Sequence, residues 1–441
     1  MAKIAPFQGI RYNAHKVGNL SEVVSQPYDR VRYGLQDQYY DRHRYNVVRI
    51  IKGREHADDT PTDNVYTRAR DYFHTWLDAG YMLRDPAPAF YVYHQTFTLP
   101  DGTELTRRAF VAALELVEFA EGIVLPHERT LSGPKADRLN LLRATDTNFG
   151  QIFMLYPDAE NRINAIFDAA IAGREPDADV REMFEQDVRQ QLWVVTDPEL
   201  TAQVVAEMAP KRSLIIADGH HRYETALNFR AEMRERFPDA PADAGFNFRM
   251  VTLVSLDDPG LTILPTHRLM HSYATKTSAQ ILSDAAEYFE VIPIADRATL
   301  DGSMIEGTTS DRRIGLYNGS YYLLQLKGPE VMARIAPDRV EEWRMLDVTI
   351  LHELLIERVM GISREQVESK ENIDYYRDLD QAISKVDAGE AQCVFIMSPT
   401  RMSEVKACSD KGAKMPQKST DFYPKVITGL TAMPVGEAER I

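Results

Sequence analysis

The stretch of sequence that decides the fold is residues 214–226, Leu-Ile-Ile-Ala-Asp-Gly-His-His-Arg-Tyr-Glu-Thr-Ala. Its first four residues form a short apolar run, which is typical of a buried strand. From Tyr223 onward, apolar residues recur at spacings of three and four, and this pattern predicts a helix that Pro238 ends. The Asp-Gly-His-His-Arg motif at 218–222 is therefore predicted to occupy a tight turn between a strand and a helix.

This turn carries chemistry that suits a phosphate group. The first N–H groups of a helix have no partner within the helix, and the helix dipole favours negative charge at that end. Gly219 lets the backbone approach a ligand closely. Further donors come from His220, His221 and Arg222. Asp218 has three candidate roles: helix cap, ligand of Mg²⁺, or proton acceptor from a hydroxyl. The alternative is an ordinary capped helix with solvated polar residues.

The length and amino-acid composition limit the classes of protein to which the chain can belong. A chain of 441 residues suggests about two to four structural units. The apolar content of 44% and the charged content of 27% are typical of a soluble globular protein. No apolar run approaches the ~20 residues of a membrane span, and the first residues lack the apolar segment of a signal peptide. We therefore expect no membrane partner.

Charge and cysteine usage narrow the class further. The net charge of −15 disfavours a large nucleic-acid surface, although a local basic pocket remains open. Cys393 and Cys408 are the only cysteines, so a disulfide framework or a thiolate zinc site is not expected. These observations favour a cytoplasmic protein with no nucleic acid as partner.

Polar residues after other predicted strands supply more candidates. Tyr28 and Asp29 lie in a turn and are candidates to line a pocket. His127 and Glu128 follow the apolar run that ends at Pro126, a place that suits a general base. Lys135 and Arg138 open a helix and can face an anion; the alternative is surface ion pairing.

Residues 415–425, Met-Pro-Gln-Lys-Ser-Thr-Asp-Phe-Tyr-Pro-Lys, nearly match a phosphate-binding Walker A loop. Gly412 lies six residues before Lys418, but Gln417 replaces the second glycine and Pro424 blocks the helix that such a loop requires. What remains is a polar loop that can bind a phosphate or a carboxylate through Lys418, Ser419, Thr420 and Lys425.

Three further patterns bear on the fold. The apolar run at 47–51 predicts a strand, and Asn318-Gly319 between two apolar runs predicts a type I′ hairpin. Asp347 is predicted to cap a helix that Gly361 closes. The predicted buried face of that helix is Ile350, Leu351, Leu354, Leu355 and Val359. His267 and Arg268 follow an apolar strand, where α/β proteins often carry ligand residues.

The chain resembles a bacterial and archaeal family catalogued as a domain of unknown function, DUF1015, some members of which are ATP-dependent free-serine kinases. The residues that carry the resemblance are Gln26-Pro27-Tyr28-Asp29, His127-Glu128-Arg129-Thr130, Asp218-Gly219-His220-His221-Arg222, Leu346-Asp347-Val348 and Met415-Pro416-Gln417-Lys418-Ser419-Thr420. The family's usual Pro-Pro-Tyr-Asp is Gln-Pro-Tyr-Asp here. The resemblance covers nearly the whole chain.

The central motif also looks like the phosphate-binding turn of the ParB and sulfiredoxin superfamily, in which archaeal ADP-dependent serine kinases carry a similar Asp-Gly-His-His-Arg. Sulfiredoxin chemistry needs a cysteine in this turn, and none is present. The resemblance implies a mixed α/β fold with a ParB/sulfiredoxin-like catalytic core and elaborated N- and C-terminal segments, packed into one compact body. The predicted segments are an N-terminal segment at 1–108, the nucleotide-binding core at 109–260, an inserted module with a hairpin at 261–345, and a C-terminal segment at 346–441.

The resemblance implies a kinase that converts ATP and free L-serine, or a similar amino alcohol, to ADP and the phosphorylated product, with Mg²⁺ as cofactor. The candidate residues are Glu128, Asp218 and His221 for catalysis, Gly219, His220, Arg222, Lys135 and Arg138 for nucleotide phosphates, Lys418, Ser419, Thr420, Tyr28 and Asp29 for the acceptor, and Asp218 for the metal. Glu128 is the first choice of base and Asp218 the second. Whether the phosphate donor is ATP or ADP stays open, as does a homodimer.

Two other classes of function are weighed. The first is a nucleotide-dependent binding switch like the ParB clamps. The net negative charge of the chain argues against this class. The second is a metallohydrolase that uses His127, Glu128, His220 and His221. Adjacent histidines point in different directions along a chain, so they rarely hold one ion.

Overall fold

A computed structural model describes residues 2–32, 34–99, 101–128, 133–305 and 311–441. Its contacts divide the chain into two compact units, where the sequence predicts one compact body. Unit 1 comprises Met1–Pro126, Thr130–Thr262 and Pro424–Ile441, and unit 2 comprises His127–Arg129 and Ile263–Tyr423. Both combine sheets with helices, so the predicted mixed α/β class is confirmed. The four predicted segments stay a prediction.

The strands range from two-residue pairs to long central strands. They are β1 (Ile4–Ala5), β2 (Ile10–Tyr12), β3 (Met82–Arg84), β4 (Phe90–Thr98), β5 (Glu104–Glu115), β6 (Val124–Pro126), β7 (Thr147–Asn148), β8 (Ile152–Tyr156), β9 (Ala178–Glu182), β10 (Glu185–Val195), β11 (Leu214–Asp218), β12 (Phe248–Ser255), β13 (Thr262–Leu264), β14 (His267–Met270), β15 (Phe289–Ile294), β16 (Arg313–Tyr317), β17 (Tyr321–Leu326), β18 (Ile373–Tyr376), β19 (Cys393–Ile396), β20 (Asp421–Tyr423) and β21 (Met433–Pro434).

The α-helices are α1 (Ala14–Val17), α2 (Leu35–Arg42), α3 (Val48–Ile51), α4 (Val65–Asp78), α5 (Gly133–Thr145), α6 (Arg162–Ile171), α7 (Pro198–Met208), α8 (His220–Arg236), α9 (Ser278–Ala285), α10 (Arg297–Ile305), α11 (Pro329–Ile335), α12 (Glu341–Arg344), α13 (Asp347–Ile350), α14 (Arg364–Ser369), α15 (Leu379–Asp387) and α16 (Met402–Asp410). Short 3-10 turns occupy Leu20–Glu22, Phe119–Glu121 and Gly245–Asn247, and a π-helix occupies Leu351–Val359.

The main sheet of unit 1 has the strand order β6-β11-β8-β12-β5-β4-β10-β9, with β1 paired to β5. β11 is parallel to β6, and β8 is parallel to β12, whereas the other neighbours are antiparallel. Every residue of β8 and β12 is buried, as expected for apolar strands covered on both faces. Because β6 and β11 run in parallel, their carboxyl ends meet at the same edge of the sheet.

The predicted strand and helix around the central motif are confirmed, with a shorter turn than expected. β11 continues through Asp218 and α8 begins at His220, so the turn consists of Gly219 alone, in the left-handed conformation with φ 100°. A glycine reverses direction within one residue because it lacks the Cβ that would clash there. His220, His221 and Arg222 therefore form the first turn of the helix.

One predicted strand is a helix instead. Residues 48–51 form the single turn of α3, although three of the four are β-branched. The Asn46 side chain accepts a hydrogen bond from Val48 N–H at 3.0 Å and donates to the carbonyls of Glu22 and Val24. Local capping by Asn46 thus outweighs the strand propensity of the valines and isoleucines.

Unit 2 is built on an antiparallel sheet with the order β15-β17-β16-β19-β14-β18. The predicted hairpin is confirmed, since residues 318–320 join β16 to β17 with Gly319 at φ 97°. The predicted type I′ turn is wrong, because it requires positive φ at two successive residues and Asn318 does not have it. The predicted helix face is also confirmed, because its apolar residues are at most 2% exposed along α13 and the π-helix. The predicted cap is wrong: Asp347 is the first residue of α13, and its side chain makes no capping bond.

Candidate functional site

The central turn brings Arg222 back over Gly219. A Cβ built on Gly219 would lie 3.0 to 3.2 Å from the guanidinium of Arg222, so this position requires glycine for space as well as for its positive φ. Arg222 is 7% exposed and donates through Nη1 to the carbonyl of Gln151. Its Nη2 lies 3.5 Å from Asp218 Oδ2. The first helical turn therefore holds a fixed, buried cation.

The charge of Arg222 is maintained by its neighbours. Burial alone would lower its pKa, but the carboxylates of Asp218 and Asp29, with Tyr28, raise the pKa above the ordinary value. Asp29 is exposed and Tyr28 is half-buried. Since both act on the same guanidinium, the structure brings the Tyr-Asp pair of the 26–29 turn close to the central motif.

Asp218 faces two cations. Arg222 Nη2 lies 3.5 Å from Asp218 Oδ2, and Lys425 Nζ lies 3.9 Å from the same atom. Among the described residues, no group of three or more His, Cys, Asp or Glu side chains is placed to hold a metal ion. Mg²⁺ commonly takes one or two protein carboxylates and completes its shell with water and phosphate oxygens. The donors present here fit a Mg²⁺ ion that arrives with a nucleotide better than a resident ion.

A cavity of about 50 Å³ opens beside this cluster within unit 1. Its walls include three guanidinium groups, those of Arg138, Arg222 and Arg249, and we call it the arginine cavity. Arg138 stacks on the ring of Tyr28, with its Cζ 4.0 Å from the ring centroid. The positive charge of these three side chains favours an anion over a cation in the cavity.

Arg249 is a residue of this cavity that sequence reasoning missed. It lies on β12, where burial and then the nearby charge of Arg222 lower its pKa to about 9. Its Nη2 donates to the carbonyl of Gly150 at 2.5 Å, but its Nε has no hydrogen-bond partner within the described part of the chain. The sequence did contain one sign of it, a charged residue inside an otherwise apolar strand. A charge buried in this way must be paired within the protein or take part in binding.

The two basic residues of α5 have different surroundings. Arg138 donates to Asp137 Oδ2 at 2.6 Å and lines the arginine cavity. Lys135 instead forms an ion pair with Glu224 of α8. Burial lowers the pKa of His221 below its ordinary value, with Glu224 opposing this effect and Lys135 adding to it. His221 is therefore mostly neutral at pH 7. The neighbouring His220 is buried.

Glu128 belongs to a second cluster, in unit 2. Its Oε1 lies 3.3 Å from both the backbone N and the Oγ1 of Thr420, and 3.6 Å from Nε2 of His127. His127 is fully buried and its Nε2 lies 2.7 Å from Thr420 Oγ1. Met415 N–H donates to the carbonyl of His127 at 2.7 Å. The 415–420 loop and the His-Glu pair, two separate predictions from the sequence, are thus joined.

The other residues of the 415–420 loop fall into two kinds. Ser419 is buried and its hydroxyl donates to the carbonyl of Pro416 at 2.5 Å, so it holds the loop together. Lys418 is exposed at φ 58°, and its carbonyl accepts a hydrogen bond from Arg268 at 2.8 Å. Thr420 positions Glu128. Of the three residues of this loop that were predicted to bind the acceptor, Lys418 is the one that is exposed.

Within the described ranges, no helix has the length and apolar character of a membrane span. A comparison with curated proteins finds no match. Solved structures give distant likenesses at low TM-scores, which carry no argument about function. A conserved hypothetical protein from Pyrococcus furiosus is 14% identical with a TM-score of 0.33, over 69% of this chain and 89% of that one.

Two other solved structures are similarly distant. A free serine kinase in complex with AMP is 13% identical with a TM-score of 0.35, over 72% of this chain and 90% of its own. SbnI with a C-terminal truncation, from Staphylococcus aureus, is 9% identical with a TM-score of 0.33, over 74% and 87%. The family model described as "Protein of unknown function (DUF1015)" matches residues 4–349, well over half of the sequence. The resemblance stated from the motifs is therefore confirmed, and the chain belongs to the DUF1015 family.

Proposed function

We propose that the protein is an ATP-dependent kinase that phosphorylates the hydroxyl of free L-serine, giving ADP and O-phospho-L-serine. The observation that carries the proposal is the arginine cavity beside the first turn of α8. Phosphoryl transfer depends mainly on positioning and on neutralising phosphate charge. Serine as the acceptor comes from the family resemblance.

The arginine cavity supports the binding of phosphate groups. Arg138, Arg222 and Arg249 are its cations, and the N–H groups at the start of α8 point away from the helix toward the same turn. Guanidinium groups bind phosphate oxygens through charge-assisted hydrogen bonds. The Nε of Arg249, which has no hydrogen-bond partner among the described residues, is costly to bury unless a ligand satisfies it.

Glu128 supports the proposed chemistry of the acceptor. In the reaction the serine Oγ–H bond breaks and an Oγ–P bond forms, while the bond from the γ-phosphorus to the bridging oxygen of ADP breaks. Glu128 takes the hydroxyl proton, and ADP leaves with the electron pair. The hydrogen bonds from Thr420 fix the carboxylate in one orientation for this transfer. Asp218 already faces Arg222 and Lys425, which suits it to positioning these cations.

Mg²⁺, when bound with the nucleotide, would neutralise charge on the phosphate oxygens, and Asp218 is the carboxylate that would hold it. The chain's own residues carry the remaining tasks. Arg222 and Arg138 orient the phosphates, and the mostly neutral His221 can donate a hydrogen bond at the start of α8.

The proposal is tested by incubating the protein with ATP, Mg²⁺ and each amino acid in turn, and by following phosphorus NMR spectra. We expect a phosphomonoester signal with serine, in equal amount to the ADP formed. Threonine, homoserine and ADP as donor are run in parallel, because neither acceptor nor donor is fixed by the residues. ATP that is hydrolysed to inorganic phosphate at the same rate with and without serine would contradict a serine kinase.

The arginine cavity also favours a second candidate, a nucleotide-dependent binding switch. Such a protein would bind the nucleotide through the same three arginines without transferring a phosphoryl group. Filter binding with nonspecific DNA at low salt, with and without ATP, separates the two. Nucleotide-dependent retention of DNA, in the absence of phosphoserine formation, would favour the switch.

Replacing Lys418 by alanine is expected to lower turnover or raise an apparent Michaelis constant by about tenfold or more. The exposed ammonium is available to a charged substrate group, whereas an exposed loop lysine contributes little to folding. The melting temperature should therefore stay nearly unchanged. Lys411→Ala is a matched control, since it removes an exposed lysine seven residues earlier. Equal kinetics for both variants would remove Lys418 from the site.

A further inference from the structure

Unit 2 contains a cavity that the roles above leave unused. It measures about 100 Å³, and we call it the π-helix cavity because the π-helix forms one of its walls. An engineered cavity of about 150 Å³ holds the six carbons of benzene, so this volume holds a group of roughly four carbons. A π-helix is rare in proteins and occurs frequently at functional sites. The size and the wall of this cavity therefore both suit a small ligand.

The inner walls of the π-helix cavity are apolar or neutral. Ile356 and Ile362 are at most 2% exposed, and Trp343 is 8% exposed. Val367 of α14 adds another apolar wall. His352 also lines the cavity, but burial lowers its pKa to about 3, so it carries no charge at neutral pH. An apolar group that enters this interior leaves water, and this transfer favours binding.

Some charged residues of the cavity are already paired with one another. Arg364 donates to Glu353 Oε1 at 2.7 Å and to Glu357 Oε2 at 3.2 Å. The Nη1 of Arg358 lies 3.5 Å from Glu353 Oε2 and adds a second cation there. The carboxylates of the π-helix are thus neutralised within the protein, and we assign them no ligand.

Three other charged residues lie at the rim of the cavity and are exposed, namely Arg339, Lys414 and Glu368. None of them forms an ion pair with another residue in the described part of the chain. The guanidinium of Arg339 lies over the ring of Trp343, with its Cζ 5.2 Å from the ring centroid. Trp343 Nε1 donates to the carbonyl of Lys414 at 3.1 Å. The rim thus offers two available cations and one available anion beside an apolar interior.

We propose that the π-helix cavity binds an α-amino acid with a branched apolar side chain of roughly four carbons, such as leucine. The side chain enters the apolar interior, and both charged ends stay at the rim. There the carboxylate contacts Arg339 and Lys414, and the ammonium group contacts Glu368. This inference goes beyond the proposed function and does not depend on it, because the side chain of serine is too small to fill the interior.

The π-helix cavity shares a loop with the proposed base. Pro416 and Gln417 line the cavity. Thr420 of the same 415–420 loop is hydrogen-bonded to Glu128. An amino acid bound in the cavity would therefore contact the loop that positions Glu128.

The chemistry predicts an order of affinity among small molecules. L-leucine should bind about tenfold or more tightly than L-alanine, which lacks three of the carbons that the interior buries. Isopentylamine is leucine without its carboxylate, and isocaproate is leucine without its ammonium group. Each should bind about three- to tenfold more weakly than leucine, because ion pairs at an exposed rim are weaker than buried ones. Calorimetric titration of the full chain without nucleotide measures all four affinities.

Two variants separate the contacts of the charged ends. Glu368→Gln should raise the dissociation constant for leucine about three- to tenfold but leave that for isocaproate unchanged, because isocaproate has no ammonium group. Arg339→Gln should weaken leucine and leave isopentylamine unchanged. Glu365→Gln is the matched control, since it changes an exposed glutamate in the first turn of the same helix as Glu368. All three residues are exposed, so the melting temperatures should stay close to that of the parent.

The measurements support or overturn the proposed site without reference to phosphoserine formation, so the kinase proposal can fail while this inference stands. The selective losses described for Glu368→Gln and Arg339→Gln support it. It is overturned if leucine does not bind, or binds no more tightly than alanine. It is also overturned if both variants leave the leucine affinity unchanged, or weaken leucine and the singly charged analogues equally.

Discussion

Replacing Glu128 by glutamine is expected to lower the turnover number by about 10²–10⁴-fold while ATP still binds, because a general base is usually worth that much. Glutamine keeps the shape of the side chain and an oxygen that can accept the hydrogen bonds from Thr420. It removes the ability to take a proton. Steady-state kinetics with serine and ATP, with calorimetry for ATP affinity, measure both effects.

Asp218 is the other candidate for the base, and its variant is compared with that of Glu128. Asp218→Asn should impair Mg²⁺-dependent nucleotide binding as well as rate, since Asp218 faces Arg222 and Lys425 at the nucleotide turn. Glu121→Gln serves as a control at an exposed glutamate before β6. If Glu128→Gln turns over like the parent protein, Glu128 is not the base, and Asp218 takes that role.

Arg222→Ala is expected to weaken the binding of a non-hydrolysable ATP analogue by about 10- to 150-fold, equivalent to the loss of about 1.5–3 kcal/mol from a charged hydrogen bond. Arg222 lines the arginine cavity at the first turn of α8, so its guanidinium is placed for a phosphate group. Calorimetric titration measures the affinity directly.

The same substitution also affects folding, because Arg222 is 7% exposed and bonded to Gln151. The sequence alone suggests a surface turn, where folding would be little affected. The melting temperature without nucleotide should therefore fall, and affinities are compared at a temperature where the variant is folded. Arg236→Ala, at the exposed end of the same helix, is the control. A folded Arg222→Ala variant that binds the analogue like the parent removes the phosphate role.

Local patterns predict the elements whose own residues decide their structure. The apolar run of β11, the three-and-four spacing of α8 and the Asn318-Gly319 turn all appear where the sequence places them. Two features of the secondary structure are not predicted from the sequence. A single glycine suffices for the turn at 219, and Asn46 caps a helix where β-branched residues favour a strand. In both, a specific side-chain contact or a backbone angle outweighs average propensity.

The candidate site is predicted less completely, because its residues converge from distant segments. The central motif, Glu128 and the 415–420 loop stand out by composition. Arg249 does not, since it is one arginine inside an otherwise apolar strand, and its role depends on the neighbours that folding supplies. The contact between Lys425 and Asp218 likewise joins residues far apart in sequence. No periodicity encodes such a pairing.

The division of unit 1 along the chain has a consequence for synthesis on the ribosome. Its last stretch, Pro424–Ile441, is made after the whole of unit 2, yet it bonds to the earliest residues. Ile10 N–H donates to the carbonyl of Ala432 at 2.8 Å, Ser25 N–H to that of Thr428 at 3.0 Å, and β21 pairs with β7. These bonds form only after residues 424–441 have been synthesised. Unit 1 therefore stays incompletely folded while Ile263–Tyr423 is synthesised. During that time some of its apolar residues are not yet covered.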